Sequence, residues 1–326
     1  MKKTYISTKG MSREEWLMRR KEGVGGSDAA AVMGESRWGS PLTVYADKRG
    51  IVPDRDMTEA MRQGVAFEGE VARRFSEETG MKVRRCLRMY RHPEYPFMLA
   101  NIDRQVLGQG GFEGLECKTT SLFNTADFAG GEIPGEYYWQ CMHYMAVTGA
   151  KRWHLAVMVL SKAFYRFVIE RDEAVVERLI SRERDFWENN VLAGVPPRPS
   201  GLDADDDIIF RVSCPEVKDG GGPAGGSSTA VATDLSDLAG ELDSLAKLKD
   251  EKGELDRRIK ASEQLVKMRM GDLTEALAGS WHIRFGLQDH TSLDTARLKA
   301  DCPDIYGRYL KNSPRRVLKI RDRALN

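Results

Sequence analysis

The sequence predicts a mixed α/β (α+β) fold, in which helices flank a central mixed sheet, followed by a long C-terminal helical extension. Up to about residue 200, segments with helical spacing of apolar residues alternate with short β-rich segments. Residues 219–229, DGGGPAGGSST, have the composition of a flexible linker. From residue 234 to 279, apolar residues recur every three or four positions with charges between them, which is typical of one long amphipathic helix.

The elements before the linker each depend on a local signal. Ser12 can cap a helix whose first turn carries Glu14 and Glu15, where the helix dipole favours acidic groups. Residues 25–28, GGSD, precede the helical run AAAVMG, and residues 58–79 place their apolar side chains on or near one side. These patterns predict helices at 14–20, 29–34, 58–79, 134–147 and 172–192, and strands at 83–90, 98–106, 114–119, 154–160 and 165–169.

The composition break divides the chain into three parts. We expect a folded core over 1–214, a linker over 215–233, and the long helix with a basic ending over 234–326. The helix either packs on its own protein or forms a coiled coil with a partner, and its pattern fits both. The ending contains a predicted strand over 281–287. Its last part, 308–323, carries seven Lys or Arg residues against one acid and is either a solvated surface or a DNA contact.

Composition limits the function classes. The 326 residues include 50 basic and 49 acidic side chains, so a uniformly basic nucleic-acid coat is excluded while local patches are not. No apolar run is long enough for a membrane-spanning helix, and the N-terminal MKKTYISTKG does not resemble a secretory signal. The five cysteines form no CxxC pair, which argues against a disulfide framework or a structural zinc or iron–sulfur site. We therefore expect a cytoplasmic protein without a membrane partner.

Two neighbouring predicted strands carry the residues with the clearest chemistry. Asp103 lies at the inner end of one strand, and Glu116 and Lys118 lie two apart on the next, so their side chains leave the same face. Two carboxylates with a backbone carbonyl suit Mg²⁺ or Mn²⁺, and a nearby lysine can position a water. The spacing alone also fits a solvated salt-bridge face.

In LECK, residues 115–118, apolar residues occupy the positions that alternate with Glu116 and Lys118, which is typical of a core strand. Charged side chains that face inward from such a strand need partners, which argues against a solvated face. Glu68 on the preceding helix can approach the same point, whereas Glu70 points to a different side of that helix. Gln140 and Tyr144 form an i, i+4 pair on the following helix.

The chain resembles the phage-type recombination exonucleases, the YqaJ-like viral recombinase family of the restriction-endonuclease-like, PD-(D/E)xK, superfamily. The matching segments cover about residues 20–200 and follow the family's order. They are GVGGSDAAAVMG (23–34), SPLTVYADKRG (40–50), MRQGVAFEGEVA (61–72), ANIDR (100–104), LECKTTS (115–121) and YYWQCMHYMAVTG (137–149). The segment SLDTARLKADCPDIY (292–306) also resembles an extension common in these proteins. No proline precedes Asp103, a departure from the superfamily pattern that is frequent in this branch.

The resemblance implies a restriction-endonuclease-like core and roles for particular residues. Asp103, Glu116 and the backbone carbonyl of Cys117 would be metal ligands, with Glu68 completing the metal environment directly or through water. Lys118 would orient the attacking water. Gln140 would hold the water or Lys118, and Tyr144 would support the site and contact the substrate backbone. Arg20 and Ser27 would bind a 5′-terminal phosphate.

The resemblance also implies an activity and partners. The expected enzyme is a Mg²⁺-dependent exonuclease, with Mn²⁺ as a substitute, that acts 5′ to 3′ on double-stranded DNA ends and supplies a single-strand annealing protein. A homo-oligomeric ring, plausibly a trimer, and a phage or prophage origin within a bacterial host are implied as well. An endonuclease of the same fold and a catalytically silent DNA-binding or assembly subunit are the alternatives.

Several of these residues also have purely structural interpretations. The segment 25–28 can be only a helix cap, and Tyr144 can be a core residue. Trp139 is expected to be packing, and His143 and His154 to be structural or exposed. Residues 205–207 are expected to form a solvated acidic turn.

Overall fold

The structure is a computed structural model that describes residues 4–213 apart from 55, 109, 122–127 and 129, and residues 234–311, 318 and 320. The chain forms two compact units, residues 1–222 with 315–326 and residues 223–314. The predicted linker, 215–233, lies wholly outside the described residues, as does most of the basic segment 308–323.

The first unit contains a five-stranded and a four-stranded sheet. Its strands are β1 Thr4–Ser7, β2 Val24–Gly25, β3 Val83–Arg85, β4 Arg88–Arg91, β5 Met98–Asn101, β6 Arg104–Val106, β7 Glu113–Thr120, β8 Arg152–Val159 and β9 Ala163–Glu170. The larger sheet has the order β3-β6-β7-β8-β9, and the smaller has the order β1-β4-β5-β2. Both sheets are mixed, because β7–β8 and β2–β5 are parallel pairs among antiparallel ones.

Helices cover these sheets, as predicted. They are α1 Arg13–Lys21, α2 Gly26–Met33, α3 Pro41–Lys48, α4 Glu59–Thr79, α5 Gly135–Thr148, α6 Glu173–Asp185 and α7 Asp203–Ser213, and α6 continues into a π-helical segment, Phe186–Leu192. The Ser12 hydroxyl caps α1 by accepting a hydrogen bond from the backbone N–H of Glu15, at 3.1 Å.

Helices α4 and α5 pack on opposite faces of the larger sheet. Val71 and Phe75 of α4 share a buried cluster with Leu115 of β7. On the other face, Met142 of α5 shares a cluster with Leu155 of β8. Each such fully buried apolar side chain contributes roughly 1.5–3 kcal/mol relative to its exposed state. Residues of β7 that alternate with Leu115 therefore lie on the α5 side of the sheet.

Two predicted strands are each divided between the sheets. The run 83–90 forms β3 and β4, and the run 98–106 forms β5 and β6, so the chain passes from one sheet to the other within each run. The interruptions face each other, because the backbone N–H of Cys86 donates to the carbonyl of Asp103, at 3.2 Å. Asp103 thus lies in the break between β5 and β6.

The predicted solvated acidic turn at 205–207 is wrong as a turn and for Asp205, although Asp206 and Asp207 are exposed as predicted. These residues belong to α7, and Asp205 is only 2% exposed. Its carboxylate accepts a close hydrogen bond from Ser40 and others from Ser200 N–H at 2.6 Å and Oγ at 2.8 Å. Ser200 is a local partner, but Ser40 lies 165 positions away in the sequence, so local charge density was a poor guide to burial.

The second unit contains a long helix and a hairpin. Helix α8 spans Ala239–Met270 and follows a 3₁₀ turn at Ser236–Leu238. The hairpin consists of β10 (Glu275–Ala278) paired with β11 (Trp281–Arg284). Two short helices follow, α9 (Thr295–Asp301) and α10 (Pro303–Arg308). The predicted helix over 234–279 is too long, because Gly271, with φ +56°, ends it. The predicted strand 281–287 is shorter than expected. Among the helices the structure describes, none is long and apolar enough to cross a membrane.

Candidate active site

Asp103 is fixed at the break between β5 and β6 by the neighbouring strand. Its Oδ2 accepts a hydrogen bond from the backbone N–H of Cys117, at 2.8 Å. This contact holds the Asp103 carboxylate next to β7, in which Glu116 and Lys118 lie on either side of Cys117 in the sequence. The structure therefore brings together the two strands that the sequence analysis paired.

Glu116 and Lys118 point toward α5. Glu116 lies opposite Leu155 in the parallel β7–β8 register, and Leu155 belongs to the core cluster on the α5 side. The Lys118 Nζ and Glu116 Oε1 atoms are 2.7 Å apart, and Gln140 Nε2 donates to the same oxygen at 2.7 Å. The Lys118 ammonium also lies 5.3 Å from the centre of the Tyr137 ring, within the range of a cation–π contact.

The Asp103 and Glu116 carboxyl groups lie close together beside the Lys118 ammonium. The pKa of Asp103 is well above its usual range because the carboxyl is buried and because the Glu116 charge lies beside it. Glu116 is 3% exposed, and its Oε2 is a buried oxygen with no hydrogen-bond partner among the residues that the structure describes. Burial lowers the pKa of Lys118, but the charges of Glu116 and Asp103 outweigh this effect and raise it. Lys118 therefore stays protonated and only partly balances the pair.

These observations fit a divalent cation. An unpartnered buried carboxylate oxygen and a carboxyl with a raised pKa are both stabilised by an added positive charge, and oxygen donors suit Mg²⁺ or Mn²⁺. Within the described residues, no group of three or more His, Cys, Asp or Glu side chains forms a complete metal cage. A site with two carboxylates suits a hard cation that keeps several waters, as Mg²⁺ usually does.

Glu68 lies at this site but is engaged elsewhere. Its carboxylate forms a close ion pair with the Arg104 guanidinium, which also donates to the Asp103 carbonyl at 2.9 Å. Glu68 lines the same groove as Asp103 and contributes to the raised pKa of Asp103. Glu70, in contrast, has a side chain that is 43% exposed and pairs with Arg73, which agrees with its predicted position on a different side of the helix.

Gln140 and Tyr144 support the site from behind. Gln140 Nε2 donates to Glu116, as described, and to the Tyr144 hydroxyl at 2.8 Å, and both residues are buried. The predicted contact of Tyr144 with the substrate backbone does not fit, because Tyr144 is 4% exposed and lies beneath Gly26. A Cβ at Gly26 would lie 2.5 Å from the Tyr144 ring, so this close packing of α2 on α5 requires glycine.

Arg20 and Ser27 meet at the N-terminal end of α2, as predicted. Arg20 Nη2 donates to Ser27 Oγ at 2.9 Å, and the Arg20 guanidinium lies 4.8 Å from the centre of the Trp16 ring. The first N–H groups of α2 and the Arg20 guanidinium are donors that suit an anion, and the Asp28 carboxylate, whose Oδ1 lies 3.8 Å from Arg20 Nη2, balances part of their charge.

A buried ion pair that the sequence analysis missed holds this end in place. Lys48 of α3, whose side chain is 1% exposed, places Nζ 2.7 Å from Asp28 Oδ2 and donates to the Arg20 carbonyl at 3.2 Å. Asp28 Oδ2 also accepts from Gly25 N–H at 3.0 Å. Burial opposes ionisation of Asp28, but Lys48 and Arg20 lower its pKa to about 2. The nearby motifs GGSD and YADK gave no sign of this pairing.

One groove of about 820 Å³ joins the two ends of the site. Its lining includes the side chains predicted to bind phosphate and those predicted to bind metal: Arg20, Ser27, Glu68, Asp103, Glu116 and Lys118. The exposed Trp38 and Met61 also line it. The groove is open to solvent and can admit an extended ligand along its length.

Trp139, His143 and His154, for which the sequence suggested no role in the site, are buried. Trp139 Nε1 donates to Glu35 at 2.7 Å. His143 lies 2.8 Å from Glu183 and donates through Nε2 to the Leu99 carbonyl at 2.9 Å. His154 pairs with Glu113 at 2.7 Å, and neither histidine lines the groove.

The chain is similar to known proteins across different parts of its length. Among solved structures it resembles LHK-Exo, an alkaline exonuclease from Laribacter hongkongensis, in complex with dAMP (23% identity, TM-score 0.49, 56% of this chain and 94% of that chain). It also resembles a phage related exonuclease from Haemophilus somnus 129PT (10% identity, TM-score 0.39, 52% of this chain and 96% of that chain).

The sequence comparisons cover the groove and most of the chain. The model of the YqaJ-like viral recombinase domain matches residues 15–151, which contain the proposed phosphate and metal ligands. Uncharacterized protein YqaJ of Bacillus subtilis (strain 168) is 32% identical over 316 residues, covering 96% of this chain and 95% of that protein. The chain therefore belongs to the YqaJ-like viral recombinase family.

Proposed function

We propose that this protein is a Mg²⁺-dependent deoxyribonuclease that hydrolyses phosphodiester bonds at the ends of double-stranded DNA. The observation that carries the proposal is a pair of carboxylates, the half-buried Asp103 and the buried Glu116, beside the Lys118 ammonium in an open groove. Membership of a viral recombinase family supports a task in DNA recombination. Mn²⁺ is expected to replace Mg²⁺ because it accepts the same oxygen ligands.

Each residue has a separate task in this proposal. Asp103 and Glu116, with the Cys117 carbonyl, would hold the cation, and Glu68 would contribute through a water or after leaving Arg104. A bound cation of this kind lowers the pKa of a coordinated water and stabilises charge on the phosphoryl group. Lys118 orients the attacking water, and Gln140 holds Glu116 in position.

The other end of the groove would select DNA ends. Ser27 and the first N–H groups of α2 can donate hydrogen bonds to a terminal phosphate, and Arg20 supplies a charge-assisted contact. A 5′-phosphate bound there would place the first phosphodiester bonds along the groove toward Asp103. This arrangement favours removal of the 5′-ended strand and a 3′ single strand for an annealing protein.

Processive resection adds an expectation about assembly. An enzyme that closes around the duplex stays on it between successive cleavages, and a ring of identical chains, plausibly a trimer, would provide this. The near-neutral net charge agrees, because only the channel needs to be basic. A phage or prophage origin and action in the bacterial cytoplasm belong to the same proposal.

Digestion of end-labelled linear duplex and covalently closed circular duplex, with Mg²⁺ and with EDTA, tests the activity. We expect Mg²⁺-dependent loss of the linear DNA from its 5′ ends and intact circles. Glu116→Ala and Lys118→Ala should abolish the digestion, while the matched control Glu70→Ala, on the exposed side of α4, should retain it. Full activity of either groove variant would contradict the assigned site.

The same digestion separates the alternatives. Cleavage of closed circles would indicate an endonuclease of this fold, since an exonuclease needs an end to begin. Retained DNA binding without cleavage of either substrate would indicate a silent DNA-binding or assembly subunit. The unpartnered Glu116 Oε2 argues against a silent subunit, because leaving a buried carboxylate oxygen unpaired costs stability.

A further inference from the structure

Helix α8 exposes a long apolar stripe. Its 32 residues span about 48 Å at 1.5 Å per residue, and Met270 is its one buried residue among those described. Large side chains that would normally face a core are 42–61% exposed. They are Leu242, Leu248, Leu255, Ile259 and Val266.

The stripe includes a seven-residue series. Leu245, Lys252, Ile259 and Val266 lie seven apart, and Leu238 precedes them by the same interval. Helices that pair along their length carry apolar side chains at two positions of every seven, and Leu248 and Leu255, three residues after Leu245 and Lys252, occupy the second position. Lys252 interrupts the series, and a polar residue at such a position favours pairings that avoid a second copy of itself.

Charge is divided between the two halves of α8. Residues 239–254 carry five acidic and three basic side chains, while residues 255–270 carry two acidic and five basic ones. Parallel pairing of two copies would place acidic half on acidic half and Lys252 on Lys252. Antiparallel pairing places each acidic half on a basic half, with Leu245 opposite Val266 and Lys252 opposite Ile259.

A groove in the second unit matches this arrangement. It has a volume of about 1060 Å³ and lies between the basic half of α8 and β11. Its apolar lining includes Ile259, Val266 and Trp281, and its basic lining includes Arg258 and Lys267. In an antiparallel pair, the segment that runs along this groove is the acidic, leucine-containing half of the other copy.

We propose that α8 is a self-association surface through which two copies of this chain pair antiparallel. The exposed apolar series provides the contact area, and the divided charge sets the direction. The inference depends only on the second unit and does not depend on the nuclease activity proposed above.

Cysteine cross-linking of the full-length chain tests the pairing and its direction. Two differently tagged chains, Leu245→Cys and Val266→Cys, are mixed and oxidised mildly, with the parent chain as the background for the native cysteines. In the antiparallel pair, the two copies of position 245 lie about 31 Å apart, and position 245 lies opposite 266. We expect a disulfide-linked species of twice the chain mass that carries both tags from the mixture, and none above background from either variant alone.

Each other result has a distinct meaning. Linkage of either variant with itself, and not between them, would indicate parallel pairing and overturn the proposal. The control is a mixture of Leu245→Cys with Ala261→Cys, because Ala261 faces away from the series. If the test mixture is linked no more than this control, another occupant covers α8 and the proposal is overturned. That occupant would be this chain's own core or a different protein. The cross-link is read by mass, so loss of nuclease activity does not affect it.

Discussion

The buried Asp28–Lys48 pair offers the sharpest stability prediction. Asp28 lies at the start of α2, where its carboxylate accepts from Gly25 N–H and lies 2.7 Å from the Lys48 ammonium. Replacing Asp28 by asparagine keeps the size and an acceptor oxygen but removes the negative charge. Among the described residues, Lys48, whose side chain is 1% exposed, then has Asp47, at 3.4 Å, as its remaining carboxylate partner.

The magnitude follows from the pKa of Asp28. Lowering this pKa from 3.8 to about 2 corresponds to about 2.5 kcal/mol at roughly 1.4 kcal/mol per pKa unit. A carboxyl whose pKa is lowered on folding stabilises the protein above the unfolded pKa, and this contribution disappears as the pH falls from about 4 toward 2. We therefore expect Asp28→Asn to lower the free energy of unfolding by about 2.5 kcal/mol at pH 7. The difference between the two proteins should shrink to roughly half of that at pH 3.

Tryptophan fluorescence during urea denaturation measures this difference in the first unit. Trp139 and Trp153 of that unit are buried, whereas Trp281 of the second unit is 76% exposed and changes little on unfolding. Lys48→Met should cost a similar or larger amount, because it leaves the Asp28 charge buried without its main partner. An Asp28→Asn effect that stays the same from pH 7 to pH 3 would refute the electrostatic explanation.

Three further predictions concern the groove. Gly26→Ala should lower the free energy of unfolding by about 1–3 kcal/mol, because the new Cβ would lie 2.5 Å from the Tyr144 ring. The control Gly64→Ala in α4, whose Cβ would lie 3.8 Å from its nearest neighbour, should keep or raise the melting temperature. Ser27→Ala should slow digestion of 5′-phosphorylated ends more than of 5′-hydroxyl ends, and equal slowing would remove its role in end recognition. Mg²⁺ should raise the melting temperature of the parent protein, and this rise should be absent in Glu116→Ala; an equal rise in both would place the ion elsewhere.

Local pattern was sufficient to predict the groove's central residues. Glu116 and Lys118 lie on one face because alternation along a strand fixes direction, and the helical i, i+4 spacing brings Gln140 to Tyr144. These relations hold within single elements, so the sequence contains them directly. Asp103 followed because the next strand along the chain is also its neighbour in the sheet.

The missed features depend on contacts between distant segments. The sequence around Lys48 indicates only a charged residue at the end of a short helix. The packing of α3 is what buries Lys48 against Asp28. Asp205 is buried by Ser40, which lies 165 positions earlier. A polar residue with a distant partner has the same local pattern as a solvated one, which is why charge density predicted a surface turn there.

The contacts beneath the groove connect its two ends. Gly26, at the end proposed to bind a terminal phosphate, lies directly over the Tyr144 ring, and the Tyr144 hydroxyl accepts from the Gln140 amide, which also donates to Glu116. These links are buried and pass through α5, whose side chains pack tightly. The distance between the phosphate end and the carboxylates is therefore fixed by the core. Selection of a terminal phosphate and choice of the bond to be cut would then be a single geometric property of this fold.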